Sequence, residues 1–399
     1  HPLGMISKEE VNAKVDAAFD DIVKAATAWT PSKEKQDAQV KPYPAKRFKF
    51  SGTYADVNDM FQKRKWSLSL PIVPPTVDKV AAMLKGTKRN PAEVLWVVPP
   101  RQGMLTVELV AALGVMAGAK PEHMPLLIAT VEAMADPVAA WRGPTTTTAA
   151  TVPVFFISGP IIEKLKLNPG TGTAGGENPV TNALGYFVNL VGDVVGGSVP
   201  PNFDKSTHGS SADLVAMVFT ENAKENPWKT TYAEESGFKP SDSIVTHFSA
   251  YLGNANIDHD SKTGQRLLTT LSTGLLGSAS GLASCLADYD ATYAINNKVS
   301  FAFIVLCPEH AATIAKDFPD QRAARDFMRE TAAMPYKFYS QETCVPGKDF
   351  GPYDENTFIP RFKKTESIKF FVSGGPGKQS QIWVPFPQVF KPVSKKIAE

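Results

Sequence analysis

Five times along this chain a short apolar run ends in a proline-containing turn, and a helix-patterned segment follows. The five are LSLPIVPPTVDKVAAML (68–84), VLWVVPPRQGMLTVELVAALGVMAG (94–118), VPVFFISGPIIEKL (152–165), FAFIVLCPEHAATIAKDF (301–318) and IKFFVSGGPGKQSQIW (368–383). Repeated strand–Pro turn–helix units predict an α/β fold built on a largely parallel sheet. The second and fourth units each run on through a proline into another helix, 119–135 and 318–334, which reads either as an internal duplication or as coincidence. Proline suits the first helical turn because its missing N–H would be unpaired there. The free N–H groups left at those turns, with the helix dipole, favour anions. In a parallel sheet such turns gather on one edge, where ligands of open α/β sheets bind. That edge is expected to carry Arg101, Glu309, His310 and Lys378, and its ligand to be small and anionic. For any single turn, a proline acting only as a helix starter explains the pattern as well.

Outside these units, Ser7 followed by Glu10 is a capping-box signature for a helix over 7–29. Residues 30–53 are rich in Pro and Lys without a period, so 1–53 read as a helix plus linker arm and 54–399 as the α/β domain. A Gly-rich middle segment, 165–260, is expected to be inserted near the site. Its formal G-x-G-x-x-G at Gly170, Gly172 and Gly175 lacks the preceding buried strand a dinucleotide site needs. It fits better as a loop closing over substrate, with Glu177 and Asn178 at its end and Gly374 and Gly375 of SGGPGK as further binding positions. Leu184, Phe187, Val188 and Val191 of the following helix are spaced as core residues.

Composition narrows the functional classes. With 42 Lys plus Arg against 40 Asp plus Glu there is no basic stripe for nucleic acid, and no apolar run is long enough to span a membrane. Cys285, Cys307 and Cys344 are far apart and odd in number, which fits a reducing, cytoplasmic setting and gives no C-x-x-C pair. His259, between Asp258 and Asp260, is a candidate acid/base group, or equally a solvated turn residue. His310 and Glu309 stand in the first turn of a helix, where capping explains Glu309 without function. A metal, if any, would need His208, His247 and His259 to converge. No serine or cysteine has the setting of an activated nucleophile; in GLLGSASG, Ala279 stands in the serine place.

The blocks WSLSLPIVPPTVDKVAAML, VVPPRQGMLTVELVAALGVMAGAKPEHMP, ENPWKTTYAEESGFKPSDSIVT, CPEHAATIAKDF and VSGGPGK resemble, over the whole chain, a family of bacterial and fungal proteins named for a U-G-S-C motif. Here U is selenocysteine or cysteine. The resemblance implies that the chain from His1 follows an N-terminal U-G-S-C-type domain or works with it as a separate subunit. It also implies thiol or selenol redox chemistry supplied by that partner. The layout is more loosely similar to the selenoprotein B component of glycine and betaine reductases, an analogy of architecture only. Family-like polar positions are Arg101, Glu108, Glu122, Glu221, Trp228, His259, Glu309, His310 and Lys378. Ala119 departs from the family, which often has cysteine there.

The expected function is therefore the large part of a catabolic, reductase-type oxidoreductase acting on a small carboxylate. Arg101 and Lys378 would anchor the anion, and His259, Glu309, His310 and Glu108 would serve catalysis. A lyase or hydrolase using histidine with metal or water, and a non-catalytic binding or scaffold subunit, are the alternatives. A homo-oligomer is the general expectation for such enzymes.

Overall fold

The structure, a computed structural model, describes residues 7–28, 42–149, 151–200, 208–251, 253–277, 301–339, 354–386, 389 and 391–398. The chain forms two compact units, His1–Lys41 and Pro42–Glu399. The first contains helix α1 (Lys8–Thr27), whose N-cap Ser7 accepts the Glu10 N–H at 3.2 Å, as its sequence signature predicts.

The main helices of the second unit are α2 (Tyr54–Lys63), α3 (Val77–Leu84), α4 (Val107–Met116), α5 (Met124–Ala135), α6 (Pro179–Asn189), α7 (Gly264–Gly277), α8 (Pro308–Asp317) and α9 (Gln321–Thr331). Its strands are β1 (Val94–Val98), β2 (Gly103–Thr106), β3 (Thr151–Ser158), β4 (Met217–Thr220), β5 (Ile244–Tyr251), β6 (Asn254–Ile257), β7 (Ala302–Leu306), β8 (Ala333–Pro335), β9 (Phe358–Pro360), β10 (Ile368–Val372), β11 (Gln379–Trp383) and β12 (Val393–Lys396). Two four-stranded sheets, ordered β12-β5-β3-β4 and β10-β7-β11-β6, make the centre.

Strand periodicity assigns the layers. On β3, Phe155 and Ile157 join a core with α4, α5 and α6, while Val152, Val154 and Phe156 face the second sheet. On β7, Ala302, Ile304 and Leu306 pack with α7, α8 and α9, while Phe301, Phe303 and Val305 face the first sheet. The result is a four-layer α/β/β/α sandwich. Both central strands are covered on both faces, which is why their sequences are continuous apolar runs with no polar alternation. Phe156 stacks on Phe303 at 4.3 Å and meets Phe371 at 4.7 Å, so aromatic rings fill the space between the sheets.

The sheets are mixed, which corrects the expectation of a largely parallel sheet. Only β3–β4 and β7–β10 are parallel within them; β5, β11, β6 and β12 run antiparallel to their neighbours. Two expected strand–turn–helix units fail for the same reason. After Pro99 and Pro100 the chain returns as β2 in an antiparallel hairpin, and after Gly377 it re-enters the sheet as β11 with no helix between. Residues 68–76 contain no strand. An apolar run followed by a turn leaves the chain free to reverse beside the strand it has just left, and only the neighbours decide.

The duplicated pair expected at 94–135 and 301–334 does not correspond, because β1 and β2 stand apart from both large sheets. The correspondence lies elsewhere. In each sheet a central strand (β3 or β7) has a parallel edge strand (β4 or β10) on one side and an antiparallel strand (β5 or β11) on the other. The outer strand of each sheet comes from the other half: β6 follows β5 but joins β11, and β12 follows β11 but joins β5. Equivalent residues meet reciprocally, with Tyr251 N donating to Val384 O (3.2 Å) and Phe386 N to Ser249 O (2.8 Å) around the Ala250–Pro385 bridge. Likewise Glu221 N donates to Ile157 O (3.0 Å) and Ser373 N to Leu306 O (3.0 Å). This register makes Ser158 equivalent to Cys307 and Glu221 equivalent to Ser373.

Candidate functional site

The parallel pairs β3–β4 and β7–β10 end together, because the residues just beyond β4 and β10, Glu221 and Ser373, form an antiparallel bridge. Four strand ends, two from each half, thus meet at one end of the sandwich, and loops rich in Gly and Thr lie over them.

Glu221 is the first residue after the apolar run of β4 and is 3% exposed. Its Oε2 is hydrogen-bonded to Ser158 Oγ, and its Oε1 accepts the Tyr232 N–H at 2.7 Å, at the start of a short helical turn, Tyr232–Glu235. Burial pushes its carboxyl up to about 7; the Ser158 and Tyr232 hydrogen bonds oppose this, and nearby Glu234 and Glu235 reinforce it. Ser158 Oγ also accepts the Ala233 N–H at 3.3 Å. Glu235 continues the network into the other half through a two-pronged pair with Arg325 on α9 (2.6 and 2.7 Å). The result is a buried carboxyl poised to gain or lose a proton near neutral pH. The sequence named Glu221 only among family-like positions; its signal was a lone charge directly after an apolar strand.

At the equivalent place in the other half, Cys307 is the N-cap of α8 and burial raises its thiol pKa. His310, 2% exposed, places Nε2 3.1 Å from Asp258 O and Nδ1 2.8 Å from Ser380 Oγ. A carbonyl only accepts, so Nε2 carries the hydrogen and Nδ1 accepts from Ser380. Burial lowers the ring's pKa and keeps it neutral. Both nitrogens are thereby committed to pinning α8 to β11 and the 258 turn. Glu309 Oε2 accepts the N–H groups of Gly377 (2.6 Å) and Lys378 (3.0 Å), and the Gly377 hydrogen bond leads in holding its pKa down. Lys378 Nζ reaches His259 O at 2.9 Å, while the His259 ring is exposed. Asp258 works against burial through hydrogen bonds from Thr270, Ser261 and Asp260 that bring it down to about 2.

The two glycine-rich segments meet here. Gly374 N donates to Pro169 O at 2.8 Å, and a Cβ on Gly375 would lie 2.2 Å from Thr171 Oγ1, so this approach requires glycine. Asn222 Nδ2 donates to Gly374 O at 3.1 Å, and Thr173 Oγ1 accepts the Thr220 N–H at 3.2 Å. Asn178 is buried and spends its amide on Asn168 O and Thr173 O, shaping the loop, whereas Glu177 is exposed.

The structure thus brings Glu309, His310, Lys378, His259, Gly374 and Gly375 into one neighbourhood, with the 169–178 loop against it. Arg101 and Glu108 have other surroundings. Arg101 lies in the β1–β2 turn, its N–H on Gly196 O (2.8 Å) and its side chain over Gly197. Glu108, 5% exposed, accepts the Ala45 N–H at 2.7 Å and faces Arg47 Nη2 at 3.4 Å, tying down the arm that precedes α2. His247 is buried in β5, stacked on Phe155 at 4.5 Å with Nδ1 on Val154 O (3.2 Å), and burial drops its pKa to about 3. His208 is exposed at the edge of a described stretch. Among the described residues no three His, Cys, Asp or Glu side chains stand as a metal requires, so the trio of His208, His247 and His259 does not form. Cys285, Cys344 and Ala279 lie outside the described residues. No helix among the described residues is long and apolar enough to cross a membrane.

The chain matches no family model, and no curated protein matches it.

Proposed function

We propose that this chain is the larger part of a reductase-type enzyme acting on a small carboxylate at the strand end of the sandwich, in a reducing, cytoplasmic setting. The observation that carries this reading is the gathering of four strand ends around one buried carboxyl, Glu221, held near pKa 7. General acid/base transfer is most effective when the group's pKa lies near the working pH. Glu221 therefore takes the proton-moving role expected of His259, Glu309 and His310. Lys378 supports an anionic substrate, because its ammonium meets a carbonyl and pairs with no carboxylate among the described residues. Cys307, with its thiol pKa raised, is a poor nucleophile, which agrees with the U-G-S-C resemblance, by whose implication the redox sulfur or selenium comes from a C-x-x-C or U-x-x-C partner. A binding or scaffold subunit is the second reading, favoured by Glu309 and His310 spending their polar atoms on holding loops.

The test is native isolation from the cells that make the protein, with the mass of each co-eluting chain, followed by turnover of small carboxylates from acetate to succinate. A motif-bearing partner is expected, and Glu221→Gln in that complex should cut kcat on the order of 100-fold with the fold intact. Full activity in Glu221→Gln would remove the catalytic role. A lone chain that neither binds nor turns over any carboxylate would overturn the reading.

A further inference from the structure

Away from the strand end, a cleft of about 550 Å³ opens between the β1–β2 turn and the segment that follows α5. That volume is in the range of small-molecule sites. Its apolar wall is Trp96, Trp141, Met134 and Pro137, and the two indoles meet edge to face at 5.8 Å. Trp141 is fixed from behind: it is 5% exposed, lies against Gly192, and its ring centre is 5.6 Å from that of His247. Trp96, backed edge-on by this fixed ring, thus offers the cleft an aromatic face suited to a planar ring.

The polar groups carry a consistent sign. Arg142 lines the cleft, and its guanidinium has no hydrogen-bond or ion-pair partner among the described residues. The one carboxylate of the lining, Asp136, is neutralised by Lys395 Nζ at 2.8 Å and caps Val138 N at 3.0 Å. The Gln102 amide is likewise uncommitted, and Trp141 Nε1 is a buried donor with no acceptor among the described residues. Gln102 (φ 62°) and Ala140 (φ 49°) are both held in the left-handed region that favours glycine. Such strain gathers at ligand sites, where the surroundings over-determine the backbone.

We infer that this cleft binds a planar aromatic carboxylate, its ring on Trp96 and its carboxylate on Arg142. A guanidinium with free N–H groups pairs two-pronged with a carboxylate, and an aromatic acid is the smallest ligand that uses both wall and cation. The site does not depend on the strand-end centre, and its test needs no turnover.

Isothermal titration of the whole chain with benzoate, indole-3-carboxylate and 2-naphthoate reads it directly. One-to-one saturable binding of at least one acid is expected, with the corresponding neutral amide weaker by about 10-fold or more. Arg142→Ala should weaken the acid by a similar factor without weakening the amide, and Trp96→Ala should weaken both. Arg142 is exposed, so its loss leaves the fold intact by circular dichroism. Absence of saturable binding by all three acids, or binding indifferent to both Arg142→Ala and Trp96→Ala, overturns the inference.

Discussion

The two halves of the sandwich share one strand plan and differ in what they place at its end. In the first half the equivalent positions hold Ser158 and Glu221, a buried hydroxyl and carboxyl. In the second they hold Cys307 and Ser373, and Ser373 Oγ only closes a 2.7 Å bond to Thr220 O. The helical surroundings differ in step. Ser158 and Glu221 receive N–H groups from a four-residue turn, whereas Cys307 opens a ten-residue helix whose first turn holds the 377–378 loop through Glu309. One backbone arrangement thus holds a buried carboxyl of raised pKa in one half and a loop anchor in the other. What separates them is which side chain was left with a charge to bury.

The largest effect should come from breaking what the halves share. Phe156→Ala empties the ring stack between the sheets and should cost roughly 3–5 kcal/mol. Because Phe156 touches Phe303 and Phe371 of the other half, both halves should melt together at a lower Tm in calorimetry. Two separate transitions would mean that the halves are not one core.

The next effect separates the halves. Glu221 has a folded pKa of about 7 against an ordinary 4.5, so the folded state holds its proton more tightly than the unfolded chain. Its contribution is fully present below about pH 4.5 and is lost as pH rises through 7, at most ~3 kcal/mol. Urea denaturation between pH 4.5 and 8 should show this loss in the wild type and not in Glu221→Gln. Ser158→Ala, which removes a bond that lowers the carboxyl's pKa, should move the inflection upward. Ser373→Ala should leave it in place.

A smaller effect concerns the thiol. With burial raising its pKa, Cys307 should be inert to Ellman's reagent in the folded protein at pH 7.5. The folded-state thiol count should therefore be the same in Cys307→Ser. A drop of one would show a reactive thiol and weaken the case for a partner that supplies it. Smallest is Glu309→Gln, which should leave Tm nearly unchanged and raise amide exchange at Gly377 and Lys378 alone.

Much of the cluster at the strand ends was legible residue by residue. Glu309, His310, Lys378, Gly374 and Gly375 were all marked by proline or glycine turns after apolar strands, and those turns do gather. Their roles were not legible: His310 is a neutral pin because Asp258 O and Ser380 Oγ occupy its two nitrogens, and those partners lie 52 and 70 residues away. Arg101 carried the same turn signature but stands in a hairpin, because the residues after its prolines pair backward with β1.

The sequence by itself determined the capped start of helix α1 and which segments must leave water: the apolar strands β3, β7 and β10, and the core face of α6 and the turn after it, where Leu184, Phe187, Val188 and Val191 are all buried. Only the tertiary structure decided which strand each would meet, in which direction, and that each half would lend its last strand to the other sheet. Apolar burial is non-directional, so a pattern specifies that a face is covered and leaves open what covers it. The same holds for charge: Glu221 is an ordinary glutamate in the chain, and only the surroundings that remove its water raise its carboxyl to about 7.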